Sequence, residues 1–451
     1  MLTEEFGKFA AALAPGAVPE AVIDAVKLRI LDVIGAALAG VQRGSHRPMM
    51  ALLESQGESC IWGEQARTSP REAALVNSFI AHSTYLEDGS RFTGGHPSSV
   101  VVPAALAVAH LHHRSGAELI AAVTAGYEVF LRFGRAIYPS TVVRGFQSTA
   151  VLGAVSSAAA CANLLRLPAA SAGHAIAIAA SLGMGLKEAL KSSASQPIQV
   201  GRSCEGGIVA ALLAQGGLEG APAIIEKGFL PAFSQGADVV SIREGLGRDF
   251  RIFETYLKRH AGCRGNHAPV DAVLALASAK RIETEDIRRV DVFVDTVTLA
   301  AAIEPPANGE QAQFSIGFSV AVALLDGNAL IFQYTDARLA DPVVQSMMQR
   351  IRVQADPTLD AGYPERRGSR VEMHLADGRK ISHAVDNARG EPESPLSVDE
   401  IKEKFLTLAA PRLGAGAKAL ADAVMTLEMQ ADVAALAPLL RPQATRPQAS
   451  R

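Results

Sequence analysis

The sequence predicts a mainly α-helical chain, with one large helical domain built from its N- and C-terminal parts and a smaller α+β segment between them. Three observations predict this. Apolar residues recur at helical spacing through the first half, with few strand signals before residue 250. Alternation of period two is confined to the stretch between about 290 and 385. Helical pattern then returns, over too few residues to make a core of its own. With 451 residues, the chain also exceeds the roughly 250–300 residues at which single cores stop growing. The expected layout is 1–262 plus 397–440 as the helical domain, 263–396 as the α+β domain carrying a small antiparallel sheet, and 441–451 as a disordered tail.

In order, Pro19 opens the first long helix and Gly40 is expected just past its end. Val22, Val26, Ile30, Val33, Ile34 and Ala37 mark its buried stripe. Helices follow at about 71–83, 101–113, 117–137, 148–165, 170–190 and 203–216, with Lys187, Glu188 and Lys191 as a polar stripe on the fifth of these. Residues 268–280 and 313–326 read as further helices, the latter stopped by Gly327. Val290, Val292 and Val294 alternate as a strand, and so do residues 350–355. Residues 370–385 read as a hairpin about Asp377-Gly378, a type I′ signal. After a Gly/Pro linker, Ser397 and Glu400 have capping-box spacing.

Composition excludes several functions. Hydrophobic residues make up 49% and charged residues 20%, too much apolar material for a disordered chain. A net charge of −3 gives no basic field for nucleic acid or an anionic membrane. Residues 145–165 and 167–186 lack Asp, Glu, Lys and Arg but are rich in Ala, Ser and Gly, so they read as helices buried in protein rather than in lipid. The N-terminus has no basic region before a long apolar run, so a cytoplasmic protein is expected. Cys60, Cys161, Cys204 and Cys263 stand far apart, without the pairing of a metal or disulfide framework.

P-loop, nucleophile-elbow and HEXXH motifs are absent, and Gly183-Met184-Gly185 is only a fragment of a dinucleotide loop. His110, His112 and His113 have no carboxylate beside them and read as a polar helix end, so no metal is expected. Two segments carry chemistry. The loop Ala81–Val100 gathers Glu87, Asp88, Arg91 and two glycines around His96. It reads either as a proton-transfer site or as a surface loop with a capping histidine. The segment Lys258–Asp271 gathers Lys258, Arg259, His260, Arg264 and His267 at the domain boundary. It reads either as a carboxylate-binding patch or as a solvated hinge.

Ordered pieces of the chain resemble the MmgE/PrpD family, whose members include 2-methylcitrate dehydratase, cis-aconitate decarboxylase and iminodisuccinate epimerase. They are LDVIGAALAG (31–40), the loop just described with GGHPSSVVVPAALA, residues 126–154, GRSCEGGIVAALLAQGG (201–217), GFLPAF (228–233), CRGNHAPVDA (263–272), FSIGFSVAVALLDG (314–327) and residues 390–405. The resemblance implies an all-helical domain with an inserted α+β lid and an active site in the cleft. It also implies a homodimer, no cofactor, and proton abstraction and delivery at carbon in small carboxylic acids. On that basis His96, Lys258 and Tyr85 are the expected catalytic residues. Glu87, Asp88, Gln147, Gln196, Gln199, Arg202, Cys263, Arg264, His267 and Phe318 are the expected substrate contacts. His96, Arg202, Lys258, Cys263, Arg264 and His267 match the family pattern. Tyr85 and Glu87 stand where it has aspartates, Gln147 and Gln199 where it has histidines, Gln196 where it has lysine, and Phe318 where it has tyrosine. Neutral glutamines cannot neutralise a carboxylate. The implied reading is a lyase or isomerase (dehydratase, decarboxylase or epimerase) for a less anionic acid, the alternative being an inactive small-acid binding protein.

Overall fold

In the computed structural model, residues 1–54, 56–192, 195–280 and 282–442 are described; the tail expected to be disordered lies almost wholly outside them. The chain forms two compact units. The first comprises Met1–Ser83, Glu87–Thr255 and the residues from Ser397 onward; the second comprises Thr84–Leu86 and Tyr256–Leu396. Where the sequence suggested a first boundary near 262, the units divide after Thr255.

Helices build the first unit. The principal ones are Glu20–Gln42, Pro70–His82, Ser98–Leu111, Gly116–Ile137, Ser148–Leu164 and Gln196–Gln215. Uncharged Ser148–Leu164 is buried at every position except Asn163, whose amide donates to the carbonyls of Ala10 and Leu13. Small residues let its neighbours approach: a Cβ on Gly153 would stand 2.8 Å from Val100 Cγ1. Two of its serines donate their hydroxyls to backbone carbonyls, Ser157 to Val100 and Ser156 to Gly153, which satisfies those buried groups. Among the described residues no helix is long and apolar enough to cross a membrane.

Several expectations are corrected. Gly40 lies inside the first long helix, because a Cβ there would meet Ile80 Cγ2 at 2.7 Å; its smallness serves helix packing, not termination. The helix expected over 170–190 ends at Ala179. Beyond it, Gln147 N donates to Gly185 O (2.9 Å) and Lys187 N to Gly145 O (2.8 Å), so Lys187 and Glu188 do not form a helical stripe. A short two-stranded ladder, Ser59–Cys60 with Arg67–Thr68, also stands in this unit without a sequence signal.

The helix Val398–Leu413, which follows the linker, belongs to the first unit and opens with the expected capping box of Ser397 and Glu400. It is tied to Glu20–Gln42 by a buried ion pair, Lys404 Nζ to Asp32 Oδ1 at 2.6 Å. Burial raises the Asp32 carboxyl above its ordinary range while Lys404 opposes the shift.

In the second unit, strands run in the order Ile351–Ala355, Ile287–Val294, Ser369–Leu375, Lys380–Val385. Two pairings are antiparallel, but Ile287–Val294 and Ile351–Ala355 run parallel, so the sheet is mixed. The helical crossover between them, including Ile316–Asp326, permits this. Val290, Val292, Val294, Val371, Met373 and Leu375 turn inward. The hairpin forms through a three-residue loop, Ala376–Gly378, rather than a type I′ turn. Leu375 N donates to Arg379 O, and of the loop residues only Gly378 takes a positive φ (87°).

Breaking the Asp32–Lys404 pair leaves a buried carboxylate uncompensated. Lys404→Met should lower unfolding stability by roughly 3–5 kcal/mol in denaturant titration, and the double variant Asp32→Leu/Lys404→Met should recover most of it. Equal losses in single and double variants would show that the pair does not hold this helix.

Candidate active site

The loop after Pro70–His82 is organised by Asp88. Its carboxylate accepts from Ser98 N (3.0 Å) and from the Tyr127 hydroxyl (2.8 Å). That satisfies a backbone donor at the start of Ser98–Leu111, where an anion suits the helix dipole. Burial nevertheless pushes the Asp88 carboxyl up to about 6, against those hydrogen bonds and the charge of Arg29. Between Asp88 and His96 the chain folds on itself, with Ser90 and Gly95 bridged and Gly94 at φ +62°. A Cβ on Gly95 would meet Phe130 Cζ at 2.8 Å, so the second glycine is required by close approach.

His96 is therefore held from several sides. Its backbone N donates to Thr149 Oγ1 (3.1 Å), and its carbonyl accepts from Ser99 Oγ (2.9 Å). Its Nδ1 lies 2.6 Å from the Asp88 carbonyl. A carbonyl only accepts, so Nδ1 carries the hydrogen and the lone pair of the neutral ring sits on Nε2. The side chain is 17% exposed, and Glu87 Oε1 lies 3.8 Å from Nδ1.

His82, which sequence reasoning missed, joins this group. It is fully buried at the end of its helix, with Nδ1 2.6 Å from Glu87 Oε1 and its ring edge-on to His96 at 5.4 Å between centroids. Gln147 completes it. Its Oε1 accepts from Ala150 N (2.5 Å), capping Ser148–Leu164, and its Nε2 lies 3.4 Å from His82 Nε2. Of the expected residues, then, the first unit brings Glu87, His96 and Gln147 together and uses Asp88 as their support. Gln196 is buried at the start of Gln196–Gln215. On the same helix Gln199 donates to Leu186 O (3.2 Å), and the exposed Arg202 pairs with Glu205.

In the second unit, buried Lys258 donates from Nζ to the Tyr85 carbonyl (2.6 Å). Tyr85 adopts φ +47°, and its ring meets Phe314 edge-on at 5.0 Å. Cys263 N donates to Gln313 O (2.7 Å). The Arg264 guanidinium pairs with Glu391 and lies over the Tyr256 ring at 5.4 Å, so its charge is already met by a carboxylate. His267 begins the helix His267–Lys280 and contacts His260 edge-on, and His260 Nε2 is 2.9 Å from Asp271 Oδ1. Phe318 is fully buried against Tyr334.

The histidines at 110–113 do not converge: exposed His113 pairs with Asp432 (2.8 Å), while His110 lines a small cavity with Cys60 and Trp62. Among the described residues the grouping with ligand spacing is Asp291, Glu372 and His374. There Arg289 holds Asp291, and Arg370 and Lys380 hold Glu372. Three cations oppose the entry of another.

Together these features define a mainly α-helical protein with a tautomer-fixed, partly exposed histidine beside a buried histidine–carboxylate pair, a group suited to moving a proton. Comparison with known proteins makes the class specific. Residues 4–241 match the MmgE/PrpD N-terminal domain and residues 260–429 the MmgE/PrpD C-terminal domain. The chain belongs to the MmgE/PrpD family. It is 28% identical to a cis-aconitate decarboxylase of Aspergillus terreus, over 97% of this chain and 96% of that enzyme. A human cis-aconitate decarboxylase is 26% identical over 98% of this chain and 94% of its own length. The cis-aconitate decarboxylase-like protein oryM of Aspergillus oryzae is also 26% identical, over 97% of each.

Because the Asp88 carboxyl sits near 6 when folded and near 3.8 when unfolded, the folded state holds a proton that the unfolded chain has lost between those values. Stability should therefore fall as pH rises through that window, by about 3 kcal/mol in all. Asp88→Asn keeps an acceptor for Ser98 N and cannot ionise. Its stability relative to the parent should rise by that amount from pH 3 to pH 7 in urea titrations, whereas a pH-independent difference would contradict the buried-carboxyl account.

Proposed function

We propose that this chain is a cofactor-independent lyase or isomerase that moves a proton at the carbon next to a carboxylate of a small acid. The observation that supports it most is the His96 ring, whose Nδ1–H is committed to the Asp88 carbonyl, leaving Nε2 as the basic nitrogen. In an abstraction, Nε2 takes the proton from carbon and the electron pair delocalises into the carboxylate as an enolate-like anion. In a decarboxylation, the bond to the departing carboxylate breaks, CO2 leaves, and the electron pair it leaves on carbon takes the proton from the His96 imidazolium. Lys258 is proposed as the cation that meets the developing charge, and Tyr85 as a further proton donor or acceptor.

A less anionic substrate than a tricarboxylate fits the neutral residues. Gln147 spends its amide on Ala150 N and His82, and Gln199 donates to a carbonyl, so neither brings a positive charge. The family relationship and the names of its relatives favour decarboxylation as the first reaction to try.

The test is incubation with mono-, di- and tricarboxylic acids, cis-aconitate among them, in deuterated water, followed by proton NMR. Deuterium entry or product formation is expected, reduced about 10²–10⁴-fold in His96→Ala and strongly in Lys258→Ala, with melting temperatures retained and no effect of a chelator. Saturable binding of an acid with no exchange anywhere in the panel would favour the inactive binding protein instead.

A further inference from the structure

The Gln147 amide fixes the position of a proton on the far side of the next ring in the network, that of His82. Ala150 N–H can only donate, so the Gln147 atom 2.5 Å from it must be the oxygen. The other amide atom, facing His82 Nε2 at 3.4 Å, is therefore the nitrogen, which can only donate. His82 Nε2 must then accept. An imidazolium would place N–H against N–H, so the ring is neutral and its single hydrogen lies on Nδ1. That hydrogen points at Glu87 Oε1, 2.6 Å away, which must accept it. Glu87 Oε1 is in turn 3.8 Å from His96 Nδ1.

We propose that Gln147 locks His82 as the neutral Nδ1–H tautomer, and that His82 is a positioning residue holding Glu87 as a carboxylate beside His96. An anion at that distance favours the protonated form of His96 and so raises its basicity. A neutral donor at 147 is essential to this arrangement, since an acceptor there would stabilise the His82 imidazolium and cancel the charge of Glu87. Other charged or titratable groups face the cluster from neighbouring elements of the unit. Among them are Arg29 and Asp32 on Glu20–Gln42, with Asp32 paired to Lys404, the Asp88 carboxyl with Tyr127, and the buried Arg91 in the loop itself. None of these is altered by the substitutions below. The consequence for turnover rests on the proposed function; the tautomer does not.

The experiment is long-range proton–nitrogen correlation NMR of the full chain with 15N-labelled histidine, with His82 assigned by its loss in His82→Phe. His82 should show the neutral Nδ1–H pattern. In Gln147→Glu it should become doubly protonated. The His96 titration midpoint, read in the same spectra without substrate, should fall by about one pH unit in Glu87→Gln and in His82→Phe. Glu87→Gln keeps the shape of the site if His82→Phe does not fold. Should turnover be found, the acidic limb of its pH profile should move by the same amount, which a merely structural role would not produce. An Nε2–H or doubly protonated His82 in the parent protein, or an unmoved His96 midpoint, would overturn the proposal. Loss of turnover on every acid with the tautomer intact would overturn the proposed function alone.

Discussion

The site of the first unit depends on Asp88 serving three partners at once, through its backbone and its side chain. Its backbone carbonyl takes the Nδ1–H of His96, while its side chain takes Ser98 N and the Tyr127 hydroxyl. The carboxylate fixes where Ser98–Leu111 begins, and the carbonyl fixes the histidine two residues before that helix. Burial costs this carboxyl its ordinary acidity. The hydrogen bonds offset part of that cost, and a correctly presented imidazole is what the arrangement secures. Without a fixed partner at Nδ1, the lone pair would be shared between two ring nitrogens, and only one of them can face a substrate.

The helical scaffold makes this precision affordable in packing terms. Ser148–Leu164 can be buried along its length because its side chains are small and the Ser156 and Ser157 hydroxyls bond to backbone carbonyls. Its first turn carries Thr149, which holds the His96 backbone, and its cap is Gln147, which reaches His82. One buried helix thus supports the cluster at two points. Rigid elements hold functional groups more closely than loops do, and here a loop gains that property by being tied to two helix ends.

Much of this was legible in the sequence, for local reasons. Capping boxes, proline starts and the alternation of Val290 to Val294 act within a few residues of chain. What escaped has its partner far away. Arg264 looks like an open cation until Glu391, 127 residues on, is seen to meet it. His82 is 65 residues from Gln147 and reads as the end of a helix. The parallel pairing of Ile351–Ala355 follows from how the crossover runs, which alternation does not encode. Beyond the helix end at Ala179, Gly183 lies where a Cβ would stand 2.7 Å from Ala150 O, a close approach made only once the helices are packed.

The central claim is that the hydrogen of neutral His96 resides on Nδ1, held by the Asp88 carbonyl. Neutron diffraction from deuterated crystals grown near pH 8 would locate it directly. The account requires deuterium density on Nδ1, directed at the Asp88 oxygen, and none on Nε2. Density on Nε2 with Nδ1 bare would contradict it, because the nitrogen assigned to receive the substrate's proton would already be occupied.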